Sequence, residues 1–237
     1  MTRYAESPES GLELTEAERR FLGLLDELIE APGVDVLHEE RGPVDEYIGD
    51  ADEAFQLLTD ELGISLDASL RRVYLRFVGL SSHWAVERPD LYLTGEFSLH
   101  HIAAAMLIPG VEPAVDEPSE QEERLCAELR PFDEHLRGGG GTLSALRVTE
   151  GSTVPEVWYH HATRGTFRMD IGYPEYLETL LVTKGTYGWQ YLFTDVRFGD
   201  IDFQGAAENI QNMLQVFPEI FPDHDYSGLR ARLEARA

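Results

Sequence analysis

Apolar residues recur every three to four positions through the first hundred residues of this chain. After a run of four glycines, Gly138–Gly141, they gather instead in short clusters bounded by turn residues. The first spacing gives a helix one apolar stripe that needs cover, and the second gives short strands with a face to bury. A chain holding both must pack helices against a sheet. The expected class is α+β: a mixed or antiparallel sheet with helices packed on one side, and a mainly helical N-terminal half.

Local signals place the elements. Thr15 followed by Glu18 is a capping box, in which hydroxyl and carboxylate each satisfy an orphan backbone N–H. Phe21, Leu22, Leu24, Leu25, Leu28 and Ile29 then form a broad stripe that Ala31-Pro32-Gly33 stops. Asp50 and Glu53 open a second helix that Gly63 closes. Asp67 opens an expected third helix running to Gly79, and Ser98 caps a fourth through Met106. Leu91–Leu93 reads as a strand, as do 143–149, 154–160 and 166–171. Pro174 suits the first turn of a helix reaching Lys184-Gly185, and further helices are expected over 206–217 and from Ser227. Residues 1–14 read as a flexible tail, and 15–237 as a single domain. The acidic, proline-bearing stretch 111–142 reads as a loosely packed insertion or linker with a short helix around Arg124–Leu129.

Charge narrows the function. The net charge is −25, and residues 1–62 hold 18 acids against 4 bases. Phosphate backbones need a basic footprint, so nucleic acid is not an expected ligand. A basic protein is. Solubility and salt adaptation are competing explanations of the acidity, since Lys184 is the single lysine among 19 basic residues. The first twenty residues contain no apolar run, so no secretory leader is expected. No stretch reaches the roughly 20 apolar residues of a membrane span, and no membrane partner is expected. Cys126 is the one cysteine and closes no disulfide within the chain. The cytoplasm is the expected compartment.

Signatures of catalysis are missing from the sequence. Thr142, not lysine, follows the glycine run, so no phosphate-binding loop is formed, and no nucleophile elbow exists. His100-His101 on an expected helix and His160-His161 on an expected strand are adjacent pairs whose side chains diverge, which argues against a shared metal. Cys126 sits among glutamates, which raise a thiol's pKa and favour a buried apolar role. Trp84, Trp158 and the tract Tyr187–Phe193 suit core packing or an interface anchor. No cofactor and no catalytic residue is assigned.

The segment EAFQLLTDELGISLDASLRRVYLRFVGLSSHW (53–84) and the later LTGEFSLHHIAAAM (93–106) together resemble the SUKH superfamily. The resemblance lies in Glu61-Leu62-Gly63 ending a helix, the joint Ile64–Asp67, Leu70–Gly79, and a strand leading into a helix over Leu93–Met106. Asp67 stands where the family often has proline, and Val78 where it often has asparagine. PEYLETLLVTKGTYGWQYLF (174–193) is also similar to members of this group. The resemblance implies an α+β fold without shared catalytic residues. It also implies either an immunity protein that neutralises a toxin by contact or a regulator acting through protein contacts.

The expected function is therefore non-enzymatic: binding of a basic partner, possibly a toxin, through Asp45, Glu46, Asp50, Asp52, Glu53, Asp60, Glu61 and Trp84. An intracellular regulatory or scaffold protein binding through the aromatic C-terminal half is the alternative. A hydrolase of unknown class is the third, which a deep pocket where several acids converge with His160 or His161 would favour.

Overall fold

The capping box forms as its spacing predicts. In the computed structural model, which describes residues 13–44, 49–149 and 151–236, Thr15 Oγ1 accepts from Glu18 N at 3.2 Å and Glu18 Oε2 accepts from Thr15 N at 2.7 Å. Helix α1 (Glu16–Glu30) follows and buries Phe21, Leu24, Leu25 and Leu28. Helix α2 (Ala51–Leu62) runs from Asp50 to a left-handed Gly63, and buries Ala54, Phe55 and Leu58.

Among the described residues seven strands make one sheet: β1 (Asp35–Arg41), β2 (Leu80–Arg88), β3 (Leu91–Leu99), β4 (Leu129–His135), β5 (Thr142–Arg147), β6 (Glu156–His161) and β7 (Gly165–Arg168). They lie in chain order and every neighbouring pair is antiparallel. The α+β class is thus established. Alternation puts Leu80, Trp84 and Val86 of β2 on the same face as Leu93, Phe97 and Leu99 of β3. This face joins Leu146, Val157 and Tyr159 in one core with the apolar sides of α1 and α2. That core also takes in α3 (Ile102–Leu107), α5 (Tyr173–Thr183), α6 (Gln204–Ile220) and α7 (Ser227–Ala235). Helix α4 (Glu120–Glu128) is on the other face, where the Cys126 thiol meets Thr166. Thr166 pairs with His160, one step out of phase with the core-facing Tyr159. Among the described residues no helix is long and apolar enough to cross a membrane.

The sheet is divided at its centre. All of β3 pairs with β2, whereas only Leu99 pairs with β4, opposite Asp133. The upstream part of β3 instead meets the segment after α5: Glu96 N donates to Gly185 O (2.9 Å), Tyr187 N donates to Thr94 O (3.0 Å), and Gly95 bridges Thr186. That segment is a wedge between strands that diverge.

Several expectations change. The N-terminal half is not mainly helical, because it supplies three of the strands. Residues Ala68–Val73 form only a 3-10 turn; Tyr74 turns extended, and Phe77 bridges Val44. Ser98 lies in β3, not at a helix start, and His101 caps α3 by accepting from Ala104 N at 3.0 Å. Within 111–142, α4 is near its expected place, but β4 is an inner strand with Leu129, Phe132 and Asp133 fully buried. The four glycines belong to the β4–β5 connection and not to a linker between halves. Most of the expected tail lies outside the described residues.

Candidate functional site

Helix α2 is built so that its acids cannot face inward. Ala54, Phe55 and Leu58 take the core side, and Phe55 packs edge-on against Tyr74 at 6.0 Å. What remains for the solvent side is two rows four residues apart, Asp52-Gln56-Asp60 and Glu53-Leu57-Glu61, all exposed. Asp50 accepts from Asp52 N (2.9 Å) and Glu53 N (3.0 Å), so its carboxylate is committed to the cap. Asp52 pairs with Arg71 at 2.9 Å, a contact too exposed to neutralise it firmly. Gln56 donates to Asp60 at 2.8 Å. Among the described residues Glu53 and Glu61 form no ion pair. Leu57, 56% exposed, lies one turn from each of them, and Leu62 is 43% exposed at the helix end. No lysine or arginine occurs in the helix. The result is an exposed apolar knob flanked by carboxylates, a surface suited to a basic partner.

Five of the eight expected contact residues, Asp50, Asp52, Glu53, Asp60 and Glu61, thus come together on α2 or its cap. Asp45 and Glu46 lie outside the described residues. Trp84 is a correction. It is wholly buried, its Nε1 donates to Lys184 O at 2.7 Å, and its ring meets Phe217 at 5.8 Å. A partner cannot reach it, because alternation on β2 aims it into the core.

Most of the aromatic tract is likewise core, although Trp158 and Tyr187 are half-buried. Trp189, Tyr191 and Phe193 lie in a buried 3-10 segment, packed among Tyr159, Tyr176 and Phe203. The histidines have separate duties. His100 holds Glu134 at 2.6 Å, and that bond raises its pKa. His160 faces Thr166 at 2.9 Å, and burial lowers its pKa. Burial, then Arg164, brings His161 down to about 4. His160 lines a groove of about 340 Å³ that Glu112 and Glu134 also reach. There Glu134 is tied to His100. Among the described residues no three His, Cys, Asp or Glu groups converge as a metal site. Burial pushes the Cys126 thiol up, away from thiolate chemistry.

Two polar clusters had no signal in the sequence. Ser81 Oγ lies 3.2 Å from His38 Nε2 and 3.4 Å from Glu40 Oε2. The carboxylate touches the serine and not the far imidazole nitrogen, so the order needed for a nucleophilic relay is missing. Inside the core, Tyr176 donates to Asp133 Oδ2 at 2.7 Å, and Ser144 is 2.8 Å from the same phenol oxygen. A phenol has one proton, so Ser144 is the donor there. His135 and Gln190 extend this network, all of it sealed from solvent. These residues come from β4, β5, α5 and the 3-10 segment, and only the tertiary fold unites them. The chain matches no family model, no curated protein and no solved structure.

Proposed function

We propose that this chain is a non-enzymatic binding protein that docks a basic protein partner on the exposed face of α2. The observation that carries this reading is the pairing of Glu53 and Glu61 around Leu57 on a helix without a basic side chain. Carboxylates in that arrangement steer a positive surface during encounter and select against acidic partners, while the leucine supplies apolar burial. The SUKH-like motif pattern begins at Glu53 on this helix, and it favours an immunity-type role in which the partner is a cognate toxin neutralised by contact.

The test is affinity capture from the native host at low salt, with the unmodified chain beside the isosteric variant D52N/E53Q/D60N/E61Q. A basic protein should be retained by the first, released as salt rises, and lost by the second at an unchanged melting temperature. Co-expression of the chain with that protein should restore growth that the protein alone suppresses. Equal retention by the variant, or capture of only acidic proteins, refutes the reading.

A further inference from the structure

Among the described residues several side chains cross the division of the sheet: His100 holds Glu134 at 2.6 Å, Arg137 Nη2 lies 3.2 Å from His38 Nε2, and two carboxylates, one on each face, bind backbone N–H groups of the other part. On the core face the fully buried Asp133 of β4 accepts from Ser98 N of β3 at 2.9 Å through Oδ1, and from Tyr176 at 2.7 Å through Oδ2. On the opposite face Glu96 of β3 reaches the β4–β5 connection. Its carboxylate accepts from Arg137 N (2.7 Å), Gly138 N (2.6 Å) and Gly139 N (3.2 Å). Backbone bonding between these contacts is sparse: His100 N donates to Phe132 O at 2.8 Å beside the single Leu99–Asp133 pair. Elsewhere the strands are joined by longer ladders, those of β1–β2 and β4–β5 each with one bulge.

We propose that β1–β3 and β4–β7 are two blocks that part at this seam, with Asp133 and Glu96 as two latches on one local opening. A carboxylate holding three backbone N–H groups does the work that a ladder performs at the other strand junctions. Where ladder bonds are fewest, the cooperative units of local unfolding meet. The wedge Gly185–Tyr187 fits the same arrangement. It completes β3 where β4 has turned away, so β3 keeps its own pairing when the seam opens.

Amide hydrogen exchange by NMR tests this on the full chain. In the unmodified protein the amides of Ser98, His100, Arg137, Gly138 and Gly139 should share one opening response to added denaturant. That opening should precede exposure of the β2–β3 and β5–β6 ladders. In E96Q, Ser98 and His100, which do not touch Glu96, should exchange about tenfold faster along with the loop amides, and the two ladders should not change. D133N should accelerate Arg137, Gly138 and Gly139 in the same way. Acceleration confined to the amides that touch the substituted residue overturns the proposal, as does equal acceleration throughout the sheet. If either variant fails to fold, the denaturant series on the unmodified chain still decides. Five unrelated responses there also refute a common opening.

Discussion

Replacing Glu18 with glutamine tests how far a buried ion pair holds the N-terminal helix to the rest of the molecule. The Glu18 side chain is fully buried, and its partner Arg76 is 11% exposed. The carboxylate accepts from Thr15 N (2.7 Å), Arg76 N (3.0 Å), Arg76 Nε (2.7 Å) and Arg76 Nη2 (2.7 Å). Glutamine keeps one acceptor oxygen and turns an NH₂ group on donors that need an acceptor. The guanidinium is left with Glu13 O at 2.8 Å and a small opening to water. Breaking one side of such a pair costs about 3–5 kcal/mol, and the residual access of Arg76 places E18Q near the lower end. With a urea slope of roughly 3 kcal/mol per M, the unfolding midpoint should fall by about 1 M. The double variant E18L/R76M removes both charges and should regain most of the loss.

The pH dependence supplies a second reading of the same contact. Burial pushes the Glu18 carboxyl up, but hydrogen bonds from Arg76 and Thr15 outweigh it and hold the pKa below the usual range. A lowered folded-state value means the unfolded chain binds the proton more readily. The stabilisation is therefore complete above the unfolded value of about 4.3 and is lost as pH falls through the folded one. The stability difference between the unmodified chain and E18Q should shrink across that acid range. A loss under about 1 kcal/mol, or a difference that ignores pH, refutes the argument.

Two further outcomes follow from local geometry. At Gly185 (φ 73°) an added Cβ would lie 2.5 Å from Glu96 O, whereas at Gly63 (φ 66°) nothing lies within 4 Å. G63A should cost only the left-handed backbone penalty of about 1–2 kcal/mol, and G185A clearly more, by chemical denaturation; equal losses refute the wedge packing. By NMR titration His161 should protonate near 4 and His100 above 6.5. Because His161 is lowered when folded, its contribution is present above the unfolded value near 6.5 and is lost as pH falls towards 4, so H161N should flatten stability across that window. A His161 midpoint near 6.5 sinks this.

Helix ends were legible in the sequence because a cap is a local bargain among neighbours. Thr15 with Glu18, and Asp50 with Gly63, needed no knowledge of the rest of the fold. Strands without local turn chemistry were not legible. Asp35–Arg41 is mostly polar and carries no strand signal in the sequence, yet it pairs with β2, with Val36 opposite Trp84. Ser98 has the composition of a cap, but its amide is taken by Asp133, a residue 35 positions away. Composition also hid β4, since the acids and prolines upstream gave the whole stretch the look of a linker. The acids of α2 stood out in the sequence by charge density alone; their common solvent side follows once Ala54, Phe55 and Leu58 take the core side of the helix.

The placement of the N-terminal acids separates those the fold consumes from those it leaves free. Glu18 is spent on Arg76, and Glu27 on the buried Lys184. Asp26 and Glu39 share Arg41, and Asp50 is spent on a helix cap. Surface charge kept only for solubility needs no clustering, whereas α2 carries four exposed carboxylates and no basic side chain. On α2, among the described residues, Glu53 and Glu61 form no ion pair, and the 56% exposed Leu57 lies between them. Leu57 supplies the apolar part of the proposed contact, so L57A should leave the protein folded while weakening the partner complex, as the charge variant does.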